Sequence, residues 1–153
     1  MIELIIYTLI AYLTNASCTL AGLMKTHPLD FHVKIKGRRL LGDGKTVEGT
    51  LIGLNTGLLF SLMLNARYGF IITLASLAGD LLGSFIKRRF GIPRGKEVPV
   101  LDQLGFIITV YIVLSFFINL ELYLTLTLLG FTYIIHKLTN KLAFRLKLKS
   151  VPW

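Results

Sequence analysis

The sequence has 153 residues, of which 54% are hydrophobic, with a mean hydropathy of +0.68 and a net charge of +9. This composition is too apolar for an ordinary soluble domain, and the apolar residues lie in long blocks, which is typical of a polytopic membrane protein. The basic residues lie between these blocks, so they favour a membrane surface or an anionic substrate over nucleic acid as partner. Cys18 is the only cysteine, which excludes a disulfide framework and a Cys/His metal cluster.

The first apolar block, residues 2–24, is long enough to cross a bilayer and too long for the apolar core of a signal peptide. Within this predicted span, Asn15 either packs against another helix or lines a site near the membrane edge. A polar loop with Pro and Gly breakers follows over residues 25–45. The next apolar stretch, residues 51–64, is short for a crossing. A helix over residues 46–65 would reach the required length and begin at the membrane surface.

Three further spans are predicted, over residues 69–86, 100–118 and 122–136. A second polar loop, residues 87–99, separates the first two of them. Basic residues recur every four positions at the start of the tail, residues 137–153, which indicates a surface-lying or extended helix that anchors to the membrane. We therefore predict an all-α integral membrane protein of one domain with five transmembrane helices.

The distribution of charge predicts the orientation of these spans. The two polar loops and the tail fall on one side and carry 16 of the 17 lysines and arginines, leaving only Arg67 on the other side. By the positive-inside rule the basic side is cytoplasmic, so the N-terminus lies outside and the C-terminus inside. Topology and binding of anionic lipid would explain most of these charges. They do not explain why Asp43, Asp80 and Asp102 collect on the same face.

Asp80 is an acid inside an apolar block, which is costly and indicates a functional site. A helical repeat of about 100° per residue places four polar side chains within one third of the circumference: Asp80, Ser84, Lys87 and Arg88. This stripe can hold a cation and phosphate oxygens, or it can be a structural Asp80–Lys87 ion pair. At the start of the next span, Asp102 is either a second metal ligand or a group that interacts with the helix dipole. The histidines show no ligand spacing, and we assign them no chemistry.

The segment Gly42-Asp43-Gly44-Lys45-Thr46 partly matches a phosphate-binding P-loop. Arg39 stands where that motif requires its first Gly, and no hydrophobic strand precedes it, so we reject a Walker A fold. The local chemistry is similar nonetheless. The glycines expose backbone N–H groups, a helix N-terminus favours anions, and Lys45 supplies a positive charge. The segment is therefore either a phosphate-binding turn or a cap of the second span, made by Asp43 or Thr46.

These residues resemble a known family. Lys45-Thr46-Val47-Glu48-Gly49 resembles the Lys-Thr-x-Glu-Gly element of the CDP-diacylglycerol synthases, and Ser84-Phe85-Ile86-Lys87-Arg88 matches their Ser-x-x-Lys-Arg motif, with Asp80 four residues upstream. Asp102 falls at the first acid of their closing Asp-Arg-x-Asp motif, whose last acid is replaced here by Gly105. That replacement, the short chain and the Gly-Asp-Gly-Lys-Thr segment are similar to the archaeal branch, the CDP-archaeol synthases.

The resemblance implies a cytidylyltransferase of archaeal phospholipid synthesis. Such an enzyme transfers CMP from CTP to an isoprenoid ether-lipid phosphate, 2,3-bis-O-geranylgeranyl-sn-glycerol 1-phosphate, and releases pyrophosphate. Mg²⁺ would be the cofactor, held by Asp80 and Asp102, and no obligatory protein partner is implied. The predicted CTP- and phosphate-binding residues are Gly42, Asp43, Gly44, Lys45, Thr46, Glu48, Ser84, Lys87 and Arg88. The predicted catalytic residues are Lys45, Asp80, Lys87, Arg88 and Asp102.

Three other assignments remain open. Glu48 would orient either Lys45 or the cytosine, and Asn15 and Arg38 are candidates for lining the site. Because the tail is interpreted as a membrane anchor, we expect removal of the Lys149 charge to leave catalysis nearly intact. The alternative function is a small transporter or channel for an anionic solute. Transporters commonly consist of repeated halves with a site at the midplane, whereas these charges lie at the membrane edge.

Overall fold

The computed structural model describes residues 2–93, 95–149 and 151–152. Arg94, one of the basic residues counted in the second loop, lies outside these ranges. The described residues form five α-helices: α1 Ile2–Ser17, α2 Val47–Met63, α3 Gly69–Arg89, α4 Pro99–Leu114 and α5 Leu122–Arg145. A 3₁₀-helix, Cys18–Leu23, prolongs α1. A short antiparallel hairpin, β1 Lys34–Ile35 and β2 Arg38–Arg39, lies in the first polar loop.

The helices lie in the predicted apolar blocks, with two differences at their ends. α2 begins at Val47 with Thr46 as its N-cap, as predicted. α5 continues to Arg145, nine residues past the predicted end, because neither Gly nor Pro interrupts this basic and apolar stretch. α4 ends at Leu114 rather than at 118, and hydrogen-bonded turns continue the chain to Ile118.

Among the described residues, three helices are candidate membrane spans by length and composition, which is typical of a multi-pass membrane protein. Ile2–Leu23, Gly69–Arg89 and Leu122–Arg145 are long and apolar enough to cross a bilayer. α2 and α4 are apolar but shorter, with 17 and 16 residues. Large apolar side chains on the outer helix surfaces are exposed, which is typical of a lipid-facing surface.

α3 is the central helix, since it packs against α1, α2 and α4. The core lies between α1, α3 and α4, and its fully buried side chains include Ile10, Ile72, Ile107, Val110 and Leu114. α5 packs on α4 and α1. Through α3, the residues that follow Gly79 reach the same end of the bundle as both polar loops.

The buried face of α2 consists only of small residues, one every four positions: Gly49, Gly53, Gly57 and Ser61. This face allows close approach to α1 and α3. A Cβ at Gly57 would lie 2.3 Å from Thr14 Oγ1 and 2.5 Å from Thr73 Cγ2. Stripes of small residues are a common way for helices to associate in lipid, where the apolar side chains can face outward.

The C-terminal end of α3 binds the hairpin of the first loop. The Arg89 guanidinium donates hydrogen bonds to the carbonyl oxygens of Ile35, Arg38 and Arg39, and Arg38 Nη1 donates to the Arg89 carbonyl at 2.6 Å. The first loop is therefore held against α3 at the point where the second loop begins.

Candidate functional site

A cavity of about 340 Å³ opens where the first loop, the second loop, the tail and the ends of α1, α3 and α5 meet. All but two of the predicted site residues line it: Asn15, Gly42, Asp43, Gly44, Lys45, Thr46, Asp80, Ser84, Lys87, Arg88 and Asp102. The structure thus brings the two sequence segments that carry the predicted site into one cavity.

An ion pair joins the two halves of the site. Lys45 Nζ, just before α2, lies 2.5 Å from Asp80 Oδ2 on α3. Both side chains are about one quarter exposed, so the pair lies in the cavity wall rather than in bulk water. Asp80 therefore pairs with Lys45 of the first loop. The alternative prediction, a structural ion pair between Asp80 and Lys87, is wrong, because Lys87 pairs with Asp102.

A second ion pair joins α3 to α4. Lys87 Nζ donates to both carboxylate oxygens of Asp102, at 2.9 and 2.8 Å, and to the Lys96 carbonyl at 2.7 Å. Asp102 Oδ2 also accepts the Val98 N–H at 2.8 Å, immediately before Pro99 begins α4. Asp102 therefore stabilises the start of the helix and also faces the cavity.

Some backbone N–H groups of the turn from Gly42 to Thr46 already donate hydrogen bonds within the protein. Thr46 Oγ1 accepts the Gly49 N–H, which makes Thr46 the cap of α2. The Gly42 N–H donates to Asp30, and the Lys45 N–H donates to the Gly42 carbonyl. The predicted use of the Gly42 N–H for phosphate is thus wrong for this conformation. The N–H groups of Asp43, Gly44 and Thr46 are the candidates that remain.

Asp30 organises this turn, although the sequence analysis assigned it no role. Its carboxylate is buried and accepts hydrogen bonds from Arg39 and from the N–H groups of His32, Leu41 and Gly42. The Arg39 guanidinium and these N–H groups hold the pKa of Asp30 well below its usual range. Arg39 also pairs with the half-exposed Asp43 at 2.7 Å.

Glu48 and Arg38 lie outside the lining of the cavity. The Glu48 carboxylate accepts the His27 N–H at 2.8 Å and lies 2.5 Å from His27 Nδ1. Glu48 therefore does not contact Lys45, as one of its two predicted roles requires. It binds His27 instead, and so links the start of the first loop to α2. Arg38 is exposed and bonded to Arg89, so it supports the hairpin rather than the cavity.

Three polar residues that the sequence analysis did not select line the cavity from α5 and the tail: His136, Asn140 and Lys149. His136 Nδ1 lies 2.8 Å from Gln103 Oε1, and Asn140 Nδ2 donates to the same oxygen at 3.4 Å. Lys149 Nζ donates to Asn140 Oδ1 at 2.9 Å. The four-residue spacing of His136 and Asn140 on an apolar helix was the available signal.

Lys149 of the tail lines the cavity, which the interpretation of the tail as a membrane anchor did not predict. Burial lowers the pKa of this lysine to about 8, and the neighbouring positive charge of Lys45 acts in the same direction. The Asp80 and Asp102 carboxylates oppose that shift. Lys149 therefore lies in the electric field of the same cavity that contains the two ion pairs.

The donor set of the cavity limits how a metal ion could bind. Within the described residues, no group of three or more His, Cys, Asp or Glu side chains could hold a metal. Asp80 and Asp102 nevertheless line one cavity. Mg²⁺ is commonly bound by one or two carboxylates together with water and substrate phosphates, so two carboxylates fit a cation that phosphate helps to bind.

Comparisons with known proteins agree with these features. The CarS-like family model, described as CDP-archaeol synthase, matches residues 1–67 and 60–153. The CDP-archaeol synthase of Sulfolobus acidocaldarius is 43% identical over 97% of this chain and 96% of its own. That of Pyrobaculum calidifontis is 41% identical over 93% and 92%.

A solved structure is also similar. It is described as an intramembrane enzyme for archaeal membrane lipids biosynthesis, and it is 38% identical to this chain. The two share a TM-score of 0.79 over 92% of this chain and 94% of that one. The likeness shows that the described helices form the fold of an intramembrane enzyme.

Proposed function

Because the chain belongs to the CDP-archaeol synthase family, we infer that it is a multi-pass membrane enzyme that forms CDP-archaeol from CTP and a lipid phosphate. The observation that carries this function within the molecule is the pairing of Lys45 with Asp80 and of Lys87 with Asp102 in one cavity. Cations and carboxylates at the end of an apolar bundle suit a reaction between a soluble nucleotide and a membrane lipid.

The reaction needs alignment and neutralisation of charge more than it needs a base. An oxygen of the lipid phosphate attacks the α-phosphorus of CTP, a new P–O bond forms, and the bond to the departing pyrophosphate breaks. The attacking oxygen is already ionised, so no proton has to be removed from it. Positioning and electrostatic stabilisation can therefore supply most of the rate enhancement.

The cationic side chains of the cavity would bind the phosphates. We assign neutralisation of the triphosphate and the lipid phosphate to Lys45, Lys87 and Arg88, which line the cavity together. The N–H groups of the Asp43–Thr46 turn and the Ser84 hydroxyl would donate hydrogen bonds to phosphate oxygens. In the substrate-free protein, the two lysines balance the charges of Asp80 and Asp102.

We assign the cofactor as Mg²⁺ and its protein ligands as Asp80 and Asp102. When bound, the cation would neutralise charge on phosphate oxygens and polarise the phosphorus that is attacked. The ion pairs imply that both lysines exchange carboxylate for phosphate partners when the substrate and cation bind. Flexible lysine side chains with three donors are suited to such an exchange.

The proposed membrane arrangement has five spans in one domain, with α2 and α4 crossing in addition to the three long helices. The N-terminus lies outside, and both polar loops and the C-terminus lie in the cytoplasm. The positive-inside rule supports this orientation, as does the meeting of both loops and the tail at one cavity. CTP would then enter from the cytoplasm while the isoprenoid ether-lipid phosphate arrives from the bilayer.

The transporter alternative gains no support from the comparisons, because the matched family and the similar structure are both enzymes. The charged side chains also lie at one end of the bundle, and not at the middle of a pathway across it. We therefore do not retain this alternative.

Transfer of a labelled nucleotide tests the function directly. Purified protein in lipid vesicles is given Mg²⁺, CTP labelled in its α-phosphate and 2,3-bis-O-geranylgeranyl-sn-glycerol 1-phosphate. The label is expected to pass into an organic-soluble product with equimolar pyrophosphate, and omission of the lipid phosphate should prevent both. Absence of transfer with every lipid phosphate, including an ester-linked one, would contradict the proposal.

A further inference from the structure

Asn15 is a buried amide in the first candidate span, and it lines the cavity with only 8% of its surface exposed. The polar side chains around it each donate to a carbonyl oxygen of their own helix: Thr14, Ser17, Cys18 and Thr19. Within the described ranges, the Asn15 amide makes no hydrogen bond to the protein. An unbonded amide in an apolar span is costly, which indicates that a ligand in the cavity completes its hydrogen bonds.

Asn15 lies deeper in the bundle than the Asp43–Thr46 turn. Its neighbour Thr14 is level with Gly53, since a Cβ at Gly53 would lie 2.9 Å from the Thr14 carbonyl oxygen. Gly53 is inside α2, and its distance from the Thr46 cap corresponds to about 10 Å along the helix axis. The amide therefore lies among the apolar parts of the helices, below the turn to which phosphate binding is assigned.

A smaller recess of about 20 Å³ lies between α5 and the residues that follow Asn15. The residues that it shares with the main cavity are Thr19, His136 and Asn140, and its other lining residues are Ala16, Thr139 and Ala143. The Tyr12 hydroxyl and Thr139 Oγ1 lie 2.6 Å apart and join α1 to α5 at this recess. Leu138 and Leu142, on the same stretch of α5, are exposed as on a lipid-facing surface. The cavity thus extends between α1 and α5 toward the lipid.

The chemistry of the two substrates favours the lipid phosphate as the partner of this amide. The oxygens of an ionised phosphate and of a glycerol ether accept hydrogen bonds and donate none, so the Asn15 Nδ2 group would be the donor. The lipid must reach the site from the bilayer, and the recess extends in that direction. The side chains assigned to the triphosphate lie nearer the two polar loops.

We propose that the Asn15 carboxamide donates a hydrogen bond to the glycerol-phosphate head group of the lipid substrate, which enters between α1 and α5. The inference rests on the proposed cytidylyl transfer and adds a lipid-binding residue to its site. It also separates the two substrates, because the loops would bind the nucleotide while α1 would bind the lipid.

The test compares Asn15→Leu with Asn55→Leu. Asn55 is an exposed asparagine on α2 whose amide donates to its own helix, and it lies outside the cavity lining. Leucine has nearly the shape of asparagine and no polar atom, so the bundle should keep its packing. Asn15→Ala is the second variant. The apparent kcat and KM are measured separately for CTP and for the lipid phosphate.

Binding is measured without turnover, by the rise in melting temperature that the lipid phosphate causes in the detergent-solubilised protein. Asn15→Leu is expected to raise KM for the lipid phosphate about tenfold, as loss of a hydrogen bond to a charged group would, with KM for CTP nearly unchanged. Its melting temperature without lipid should equal or exceed that of the wild type, and the rise caused by lipid should be smaller. Asn55→Leu should match the wild type in every measurement.

The same ether lipid without its phosphate identifies the oxygen that is bound. Used as a competitor, it should inhibit Asn15→Leu less than the wild type if the amide contacts an ether oxygen. Equal inhibition, together with the raised KM for the lipid phosphate, would assign the contact to the phosphate.

Wild-type KM and wild-type stabilisation by the lipid phosphate in both Asn15 variants would overturn the inference. A rise confined to KM for CTP would overturn it too, since it would assign the amide to the nucleotide. Loss of activity that follows only loss of folded protein in both variants would show a structural role instead. Failure of the proposed function differs from these results, because the wild-type protein itself would then transfer no label. The melting temperatures with lipid phosphate would still decide whether Asn15 contacts the lipid.

Discussion

The side-chain partners of the two central acids follow from distances along and between helices. Asp80 and Lys87 share a face of α3, but seven residues correspond to about 10 Å along the helix axis. Each therefore pairs with a group on another segment, Lys45 and Asp102 respectively. The cavity consequently contains two separate carboxylate–lysine pairs.

Asp80→Asn is expected to lower turnover by roughly 100-fold or more, or about 3 kcal/mol of transition-state stabilisation. The amide keeps a similar shape and can still accept a hydrogen bond from Lys45, so the protein should insert and fold. Turnover with CTP and lipid phosphate is measured beside the melting temperature in detergent.

Glu3→Gln is the control for Asp80→Asn, because this exposed acid lies in the first turn of α1 and outside the cavity lining. It should leave turnover near the wild-type value. Unchanged activity in Asp80→Asn would remove Asp80 from the proposed metal site.

The lowered pKa of Lys149 predicts a pH dependence of the protein's stability. Its pKa of about 8 lies below the value of an exposed lysine, so it loses its charge as pH rises through about 8. The charged groups that act on it are Lys45, Lys87, Asp80 and Asp102.

Between pH 8 and about 10.4 the unfolded chain binds more protons at this lysine than the folded protein, so unfolding becomes less favourable as pH rises. Thermal unfolding in detergent at several pH values measures this, with Lys149→Met as the reference. The same dependence of the melting temperature on pH in Lys149→Met would contradict this prediction.

Among the elements, α2 differs most from an ordinary membrane-spanning helix. It has 17 residues, and its buried face contains no large apolar side chain. Its association with α1 and α3 therefore depends on close approach of the backbones and not on interlocking large side chains. This close approach also brings Lys45, at its N-terminal end, within reach of Asp80.

Gly57→Ala is expected to destabilise the protein by about 1–3 kcal/mol, because its Cβ would overlap Thr14 and Thr73. Gly130→Ala on α5 is the matched control, since among the described residues the Cβ it would add meets nothing within 4 Å beyond the backbone of its own helix and its chain neighbours. Ala favours helix over Gly, so the control should be neutral or slightly stabilising. Thermal unfolding in detergent compares the two variants, and equal melting temperatures would contradict close packing at Gly57.

The first polar loop is more ordered than its breaker residues indicate. Asp30 accepts hydrogen bonds from the N–H groups of Leu41 and Gly42. Arg89 donates hydrogen bonds to three carbonyl oxygens of the hairpin region. Glycines and a proline correctly excluded a continuous helix there. They carry no information on which buried acid would hold the loop, because that acid acts across its whole length.

For the molecule as a whole, the position of the cavity follows from three chain segments meeting at one end of the bundle. The two polar loops and the tail all contribute to its lining. In the proposed arrangement, the basic charge of these segments would therefore set the orientation in the membrane and also bind the anionic substrates.

Membrane sidedness is predicted by this arrangement and is testable at α2, which length alone does not identify as a span. In a Cys18→Ser background, single cysteines replace Lys34 before α2 and Arg67 after it. An impermeant maleimide should label Arg67→Cys from outside intact cells and Lys34→Cys only in inverted vesicles. Labelling of both from one side would show that α2 does not cross.

The sequence by itself determined the helices and most members of the candidate site. Apolar blocks, the capping residue Thr46 and the helix-starting Pro99 act locally, so their effects can be predicted from neighbouring residues. Two short motifs that resemble a known family were likewise sufficient to predict Lys45, Asp80 and other cavity residues, because each motif is local in the sequence.

Only the tertiary structure decided which side chains pair and which distant residues join the cavity. Lys45 meets Asp80 across 35 residues, Glu48 turns to His27, and Lys149 returns from the tail to Asn140. These contacts depend on how α3 packs with α1, α2 and α4 and on the left-handed residue that ends α5. Such packing is a property of several segments together, so no local pattern in the sequence encodes it.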